Sequence, residues 1–175
     1  GGEGGHAEQG VDVLVVGPQD VLIILLGFLE AAGLQVSAII DEPSAVAQLL
    51  GIDEPENDDW DSFDWWHALD ELRGFGFEQA IVTLGGDGSV VLDGTADDPE
   101  HRVQRIAPVR VKAVDTTGCG DSFMGTVLAG LASGLALSEA AELASYVSAY
   151  AATGYGAQAS YGNAAQIREA FASAE

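Results

Sequence analysis

A chain of 175 residues with 47% apolar content is long enough to build one domain around a real core and short for two. Six Lys and Arg against 28 Asp and Glu leave a formal charge of −22, a surface that repels nucleic acid and anionic membranes and excludes both as expected partners. A polyphosphate is also repelled at long range, so any nucleotide site must depend on local amides, helix dipoles and metal ions.

Lys112 is the only lysine. This acid-rich, lysine-poor balance matches proteins that work in concentrated salt, where screening suppresses self-repulsion. A single cysteine, Cys119, excludes an internal disulfide and a multi-cysteine zinc site. The longest uncharged apolar run near the start, Val21 to Leu29, is too short to cross a bilayer, and no basic flank of a signal peptide precedes it. The expected location is the cytoplasm.

Residues 1–10 are Gly-rich and polar without periodicity, and read as a flexible tail ahead of one domain over 11–175. Val11 to Val16 reads as a short buried strand. Gly17-Pro18 punctuates it, and a helix apolar on most faces is predicted from about Gln19 to Ala32, ended by Gly33. Gln35 to Ile40 is the next strand. The strand–helix–strand order and the many apolar faces predict a parallel sheet. Asp53 to Asp64 then holds seven acids among twelve residues, interleaved with Trp60 and Phe63. Nothing in that spacing fits a calcium loop, so a solvated acidic loop is expected. Trp60, Trp65 and Trp66 stand at or just before the start of a helix running to about Leu72, as packing or interface residues.

Gln79 to Leu92 reads as two strands joined by the turn Gly85-Gly86-Asp87-Gly88. A polar turn follows over 94–102. Val103 to Ile106 and Val109 to Val114 are predicted as further strands, broken at Pro108. The second leads into Asp115-Thr116-Thr117-Gly118-Cys119-Gly120-Asp121-Ser122-Phe123. A helical pattern leaves that stretch, from about Asp121 to Leu135, with Phe123, Val127, Leu128, Leu131 and Leu135 on one stripe. Strand, glycine turn, helix start: this order sets backbone N–H groups at a helix mouth, where a phosphate sits well. Gly118 and Gly120 permit the tight path and the close approach of a ligand. Asp121, on or next to the first helical residue, is placed as a general base beside that anion hole. Cys119 is a small filler. Ser138 is expected to cap the next helix, to about Ala152, and 164–173 is a last amphipathic helix.

The run from Asp115 to Phe123 resembles the signature of the ribokinase-like (PfkB) carbohydrate kinases, D-T-T-G-A-G-D-x-F, with Cys119 in place of the alanine. The resemblance implies an α/β fold, a three-layer αβα sandwich with a mostly parallel sheet. It implies ATP and Mg²⁺, and phosphoryl transfer to a sugar or nucleoside hydroxyl. Asp121 would be the base, and the amides of Gly118, Cys119 and Gly120 the anion hole. Thr83, Gly85 and Gly88 are in register with the family's T-x-G-x-x-G nucleotide segment, and Ser145 is a weaker candidate near adenine. Asp115 and Thr117, with Gly156 and Ser160 of a closing loop, are the candidates for K⁺. Gly85-Gly86-Asp87-Gly88 also looks like the G-G-D-G turn of the NAD kinase, diacylglycerol kinase and phosphofructokinase group. The downstream motif decides against that group, and no Walker A lysine is present.

Two departures temper the resemblance. The family's N-x-x-E-A pattern, which precedes a short helix ending Leu-x-Gly, falls here on Glu42 and Ala45, or in the other register on Asp41 and Ser44. Neither family residue survives. The match is strong over about 79–161, loose over 35–78 and absent before, so the fold is expected to be truncated at the N-terminus, without the relatives' sugar-binding and lid portion. Two functions therefore stand: an active carbohydrate kinase, or a nucleotide-binding remnant with a regulatory or partner-completed role. Homodimerisation is left open, and the choice of sugar is not legible.

Overall fold

The computed structural model describes residues 13–16, 21–24, 38–40 and 43–172. The strands are β1 (Val13–Val16), β2 (Val21–Ile24), β3 (Ala38–Ile40), β4 (Gln79–Thr83), β5 (Ser89–Asp93) and β6 (Val103–Ile106). They form one sheet in the order β2-β1-β3-β4-β5-β6. The helices among the described residues are α1 (Pro43–Leu50), α2 (Trp65–Gly74), α3 (Cys119–Ala132), α4 (Leu137–Ala152) and α5 (Ala164–Phe171). None of them is long and apolar enough to cross a membrane.

The sheet is mixed, which corrects the expectation of a mostly parallel one. β1 pairs β3 and β3 pairs β4 in parallel, whereas β1–β2, β4–β5 and β5–β6 are antiparallel. Two of the antiparallel pairs follow from short turns that leave no room for a crossover helix. The third, β1–β2, overturns the predicted helix over 19–32. Val21–Ile24 is a strand aligned with β1, from Val13 opposite Ile24 to Val16 opposite Val21. A run of Val, Leu and Ile apolar at every position carries no 3.6-residue period, and its β-branched members suit a pleated surface. The rest of that predicted helix lies outside the described residues.

Alternation along β4 and β5 divides the core between the two faces of the sheet. Ile81 and Val91, with Ile106, pack against Phe123, Val127 and Leu131 of α3 and against Leu137, Ala140 and Ala144 of α4. Ala80, Val82, Val90 and Leu92 face the other way, onto Val46 and Ala47 of α1 and Ala68, Leu69 and Leu72 of α2. Helices thus cover both faces of the central strands. The tryptophans divide as packing residues should. Trp65 is buried, and its indole Nε1–H donates to the Trp60 carbonyl (3.0 Å). Phe63 sits edge-on to it at 4.7 Å between ring centroids, whereas Trp66 is exposed. Asp64 caps α2 by accepting from the His67 N–H (3.0 Å).

Three sequence expectations shift at the second half. Val109 to Val114 is not a strand: Pro108 has no N–H to donate, and the Val114 N–H goes to the Ala152 carbonyl at the end of α4 (2.7 Å) rather than to a sheet neighbour. Helix α3 begins at Cys119, two residues ahead of the prediction, because Gly118 takes a left-handed conformation (φ 80°) at its N-cap. Ser138 lies inside α4 instead of capping it. The cap residue is Ala136, whose N–H donates to the Glu139 carboxylate (2.8 Å).

Candidate functional site

The two glycine turns of the sequence open onto one space. A cavity of about 390 Å³ is walled by Thr83, Gly85 and Gly88 at the β4–β5 end and by Thr116, Cys119 and Gly120 at the mouth of α3. Ser145 and Ala149 of α4 and residues 108–111 complete its sides. Every residue expected at a nucleotide from the T-x-G-x-x-G segment lines it, as do Gly120 and Ser145.

The β4–β5 turn is shaped by its glycines. Gly85 (φ 57°) opens a single 3-10 turn, and Gly88 (φ 91°, ψ −135°) closes it with its carbonyl accepting the Leu84 N–H at 2.8 Å. A methyl group on Gly88 would stand 2.1 Å from the Ile106 carbonyl oxygen, so the chain passes β6 where only glycine fits. Across the cavity, Ser145 is buried and its hydroxyl donates to the Ala141 carbonyl (3.0 Å). It meets the cavity as part of the α4 wall.

At the mouth of α3 the N–H groups of Gly118, Gly120 and Asp121 have no acceptor among the described residues. The Cys119 N–H donates to the Thr116 carbonyl (3.1 Å). The expected three-amide hole therefore has one member occupied by the turn itself. Asp121 sits in the first turn of α3, exposed to solvent and part of neither core cluster. Burial, followed by the charge of Asp115, pushes the Cys119 thiol up from its ordinary pKa, which keeps it a neutral wall group rather than a nucleophile.

A second network holds the turn from behind. One oxygen of Asp115 accepts the Thr117 N–H (2.9 Å) and the other accepts the Gly156 N–H (3.0 Å). Those contacts, the Gly156 amide foremost and then the Thr117 hydroxyl and amide, hold the Asp115 carboxyl below the usual carboxylate range. The Ser160 N–H closes the loop on the Gly156 carbonyl (3.2 Å). Asp115, Thr117, Gly156 and Ser160 thus share one local network. Its oxygens (carboxylate, hydroxyls and loop carbonyls) are hard donors of the kind an alkali cation takes. Among the described residues no three His, Cys, Asp or Glu side chains cluster to hold a metal ion.

Two contributors escaped the sequence reading. The Tyr161 hydroxyl donates to the Gly118 carbonyl (2.9 Å), tying the closing loop to the turn. Partial burial and then the Asp121 charge push its phenol up. Arg110 lines the cavity. Tyr161 lies 43 residues from its partner, which no local pattern reveals. Arg110 is visible only as one of six cations in an acidic chain.

Comparison with known proteins bears on the same residues. The model of the pfkB family carbohydrate kinases matches residues 47–163. The ribokinase of Lactococcus lactis is 36% identical over 91 residues, covering 52% of this chain and 28% of that protein. The structure of Arabidopsis thaliana ribokinase with ribose and ATP superposes with a TM-score of 0.65 at 20% identity, over 90% of this chain and 46% of that one. Aminoimidazole riboside kinase from Salmonella enterica, solved with aminoimidazole riboside and an ATP analogue, superposes at 0.60 with 27% identity, over 83% of this chain and 45% of its own. In each case the matched part is less than half of the relative's length.

Proposed function

The chain belongs to the pfkB family of carbohydrate kinases, and from that premise we propose that it binds ATP in the cavity and transfers the γ-phosphoryl group to a sugar or nucleoside hydroxyl. One observation carries this reading: the β4–β5 glycine turn and the helix mouth at Gly120 wall the same space, with an exposed carboxylate, Asp121, one residue on. Nucleotide base and ribose would lie along Thr83, Gly85, Gly88 and the Ser145 wall. The phosphates would reach the N–H groups of Gly118, Gly120 and Asp121, which have no acceptor among the described residues, and the α3 dipole would add to the pull.

Asp121 accepts the acceptor hydroxyl's proton as the oxygen bonds to the γ-phosphorus and the bond to the departing ADP oxygen breaks. Charge gathering on the transferring oxygens would meet backbone donors fixed by the helix start, so little reorganisation would be needed. Cys119 contributes chain path more than an amide, since its N–H serves Thr116. Mg²⁺ arriving with ATP would screen the phosphate charge. Asp115, Thr117, Gly156 and Ser160 are the proposed holders of K⁺, which would stiffen the loop behind the anion turn. Asp121→Asn is expected to lower turnover at least about 10³-fold with ATP affinity changed less than about threefold, because only the proton acceptor is lost. Retained turnover in that variant overturns the role.

A second reading rests on the missing N-x-x-E pattern: a nucleotide-binding protein with regulatory or partner-completed use of the site. ATP consumption across a panel of sugars and nucleosides separates the two. Nucleotide binding with no turnover on any acceptor supports the second.

A further inference from the structure

Four of the six cationic side chains in this acidic chain have protein partners. Arg73 pairs with Glu78 at 2.9 Å and Arg105 pairs with Asp61. Arg102 donates to the Ala96 carbonyl (2.9 Å) and Arg168 to the Ala164 carbonyl (3.1 Å). Arg110 and Lys112 have no hydrogen-bond or ion-pair partner among the described residues. In a chain of net charge −22, carboxylates are the commonest neighbours a guanidinium can meet, yet the exposed Arg110 pairs with none among the described residues. Arg110 lies on the irregular stretch that replaces the predicted strand over 109–114, and that stretch presents it to the cavity. Lys112, two residues on, does not line the cavity.

We propose that Arg110 is a clamp for the nucleotide's polyphosphate. The inference rests on the nucleotide reading of the cavity and adds the residue that gives the site positive charge. The amides at the mouth of α3 supply partial charges only. A polyanion approaching a surface this acidic gains from a full cation at its destination, and a local positive centre inside a negative surface focuses the field on that point. A guanidinium suits the task better than an ammonium, because its planar fork matches two phosphate oxygens at once and gives up hydration more readily. The chain path fits as well. With Pro108 two residues past the end of β6 and the Val114 N–H bound to Ala152, the stretch after β6 leaves the sheet, and Val109, Arg110, Val111 and Ala113 line the ligand space.

The test is the affinity of the whole chain for ATP, ADP and adenosine by calorimetry, in the wild type, Arg110→Gln, Arg110→Lys and Lys112→Gln. Arg110→Gln is expected to weaken ATP and ADP tenfold or more while adenosine stays within twofold. Arg110→Lys should fall between Arg110→Gln and the wild type. Lys112→Gln, which removes the same charge from a residue off the cavity wall, should stay within twofold for all three. Rising salt should weaken ATP binding less steeply in Arg110→Gln than in the wild type. The proposal is overturned by unchanged ATP affinity in Arg110→Gln, by equal losses in Arg110→Gln and Lys112→Gln, or by a matching loss for adenosine. A wild-type chain that binds none of the three ligands sinks the nucleotide reading itself, and Arg110's role with it. That outcome is distinct from wild-type binding that Arg110→Gln leaves untouched.

Discussion

Adding one methyl group at two glycines of the same helix region should move stability in opposite directions. Gly118 holds φ at 80°, a left-handed conformation, and a Cβ there would meet the Ala157 Cβ at 2.8 Å, the Tyr161 hydroxyl at 2.9 Å and the Ala157 Cα at 3.0 Å. The left-handed backbone costs an alanine about 1–2 kcal/mol. Overpacking against a neighbouring backbone adds about 1–3 kcal/mol. Gly118→Ala should therefore lose roughly 2–5 kcal/mol, a fall in Tm of about 5–15 °C for a domain of this size. Gly125, inside α3, has nothing within 4 Å of its added Cβ and an ordinary helical backbone. Gly125→Ala should gain about 0.5–1 kcal/mol from helix propensity, a rise of about 1–4 °C. Thermal unfolding by circular dichroism reads both, and ADP titration reads the site. Gly118→Ala should also weaken ADP, because the added methyl group pushes the loop off the anion turn, whereas Gly125→Ala should leave ADP binding alone. A Gly118→Ala protein that melts within about 1 °C of the wild type would refute the account of the turn.

The Asp115 contacts carry a pH signature. Its folded pKa lies below the ordinary carboxylate value, so its contribution to stability is present above about pH 4 and fades as pH falls through the lowered value. Asp115→Asn should therefore melt below the wild type at pH 7 and pH 5, with the gap closing toward pH 3; a gap that persists unchanged at pH 3 rules the charge out as its source. Tyr161→Phe removes a single hydroxyl donor at a solvent-accessible carbonyl, where water can replace it. A loss of about 0.5–1 kcal/mol in urea unfolding is expected, and a loss above about 2 kcal/mol would mean the ring packing and not the hydrogen bond holds the loop.

Local chemistry was legible where glycine or a helical stripe dictated it. Gly85 and Gly88 announced the β4–β5 turn, and Phe123, Val127 and Leu131 announced the buried side of α3, because in both cases the residue type and the backbone geometry have one solution. Val21–Ile24 was misread because an all-apolar run satisfies strand and buried helix alike, and only its pairing with β1 decides between them. Val109 to Val114 has strand-forming side chains, yet its hydrogen bonds are settled by the end of α4, some forty positions later in the chain. Asp115 could be tied to Gly156 only by family likeness. No spacing rule connects a carboxylate to an amide 41 residues away.

The sheet ends at β6, a four-residue strand bearing Gln104 and Arg105, with Arg105 paired to Asp61. A rim so brief and charged offers few free amide and carbonyl groups in a flat row for another chain to extend. Copies meeting side by side would also have to bring two strongly anionic bodies together. In dilute buffer that mutual repulsion opposes such pairing. In concentrated salt, where that repulsion is screened, the geometry of this rim is what still works against stacking into a continuous ribbon.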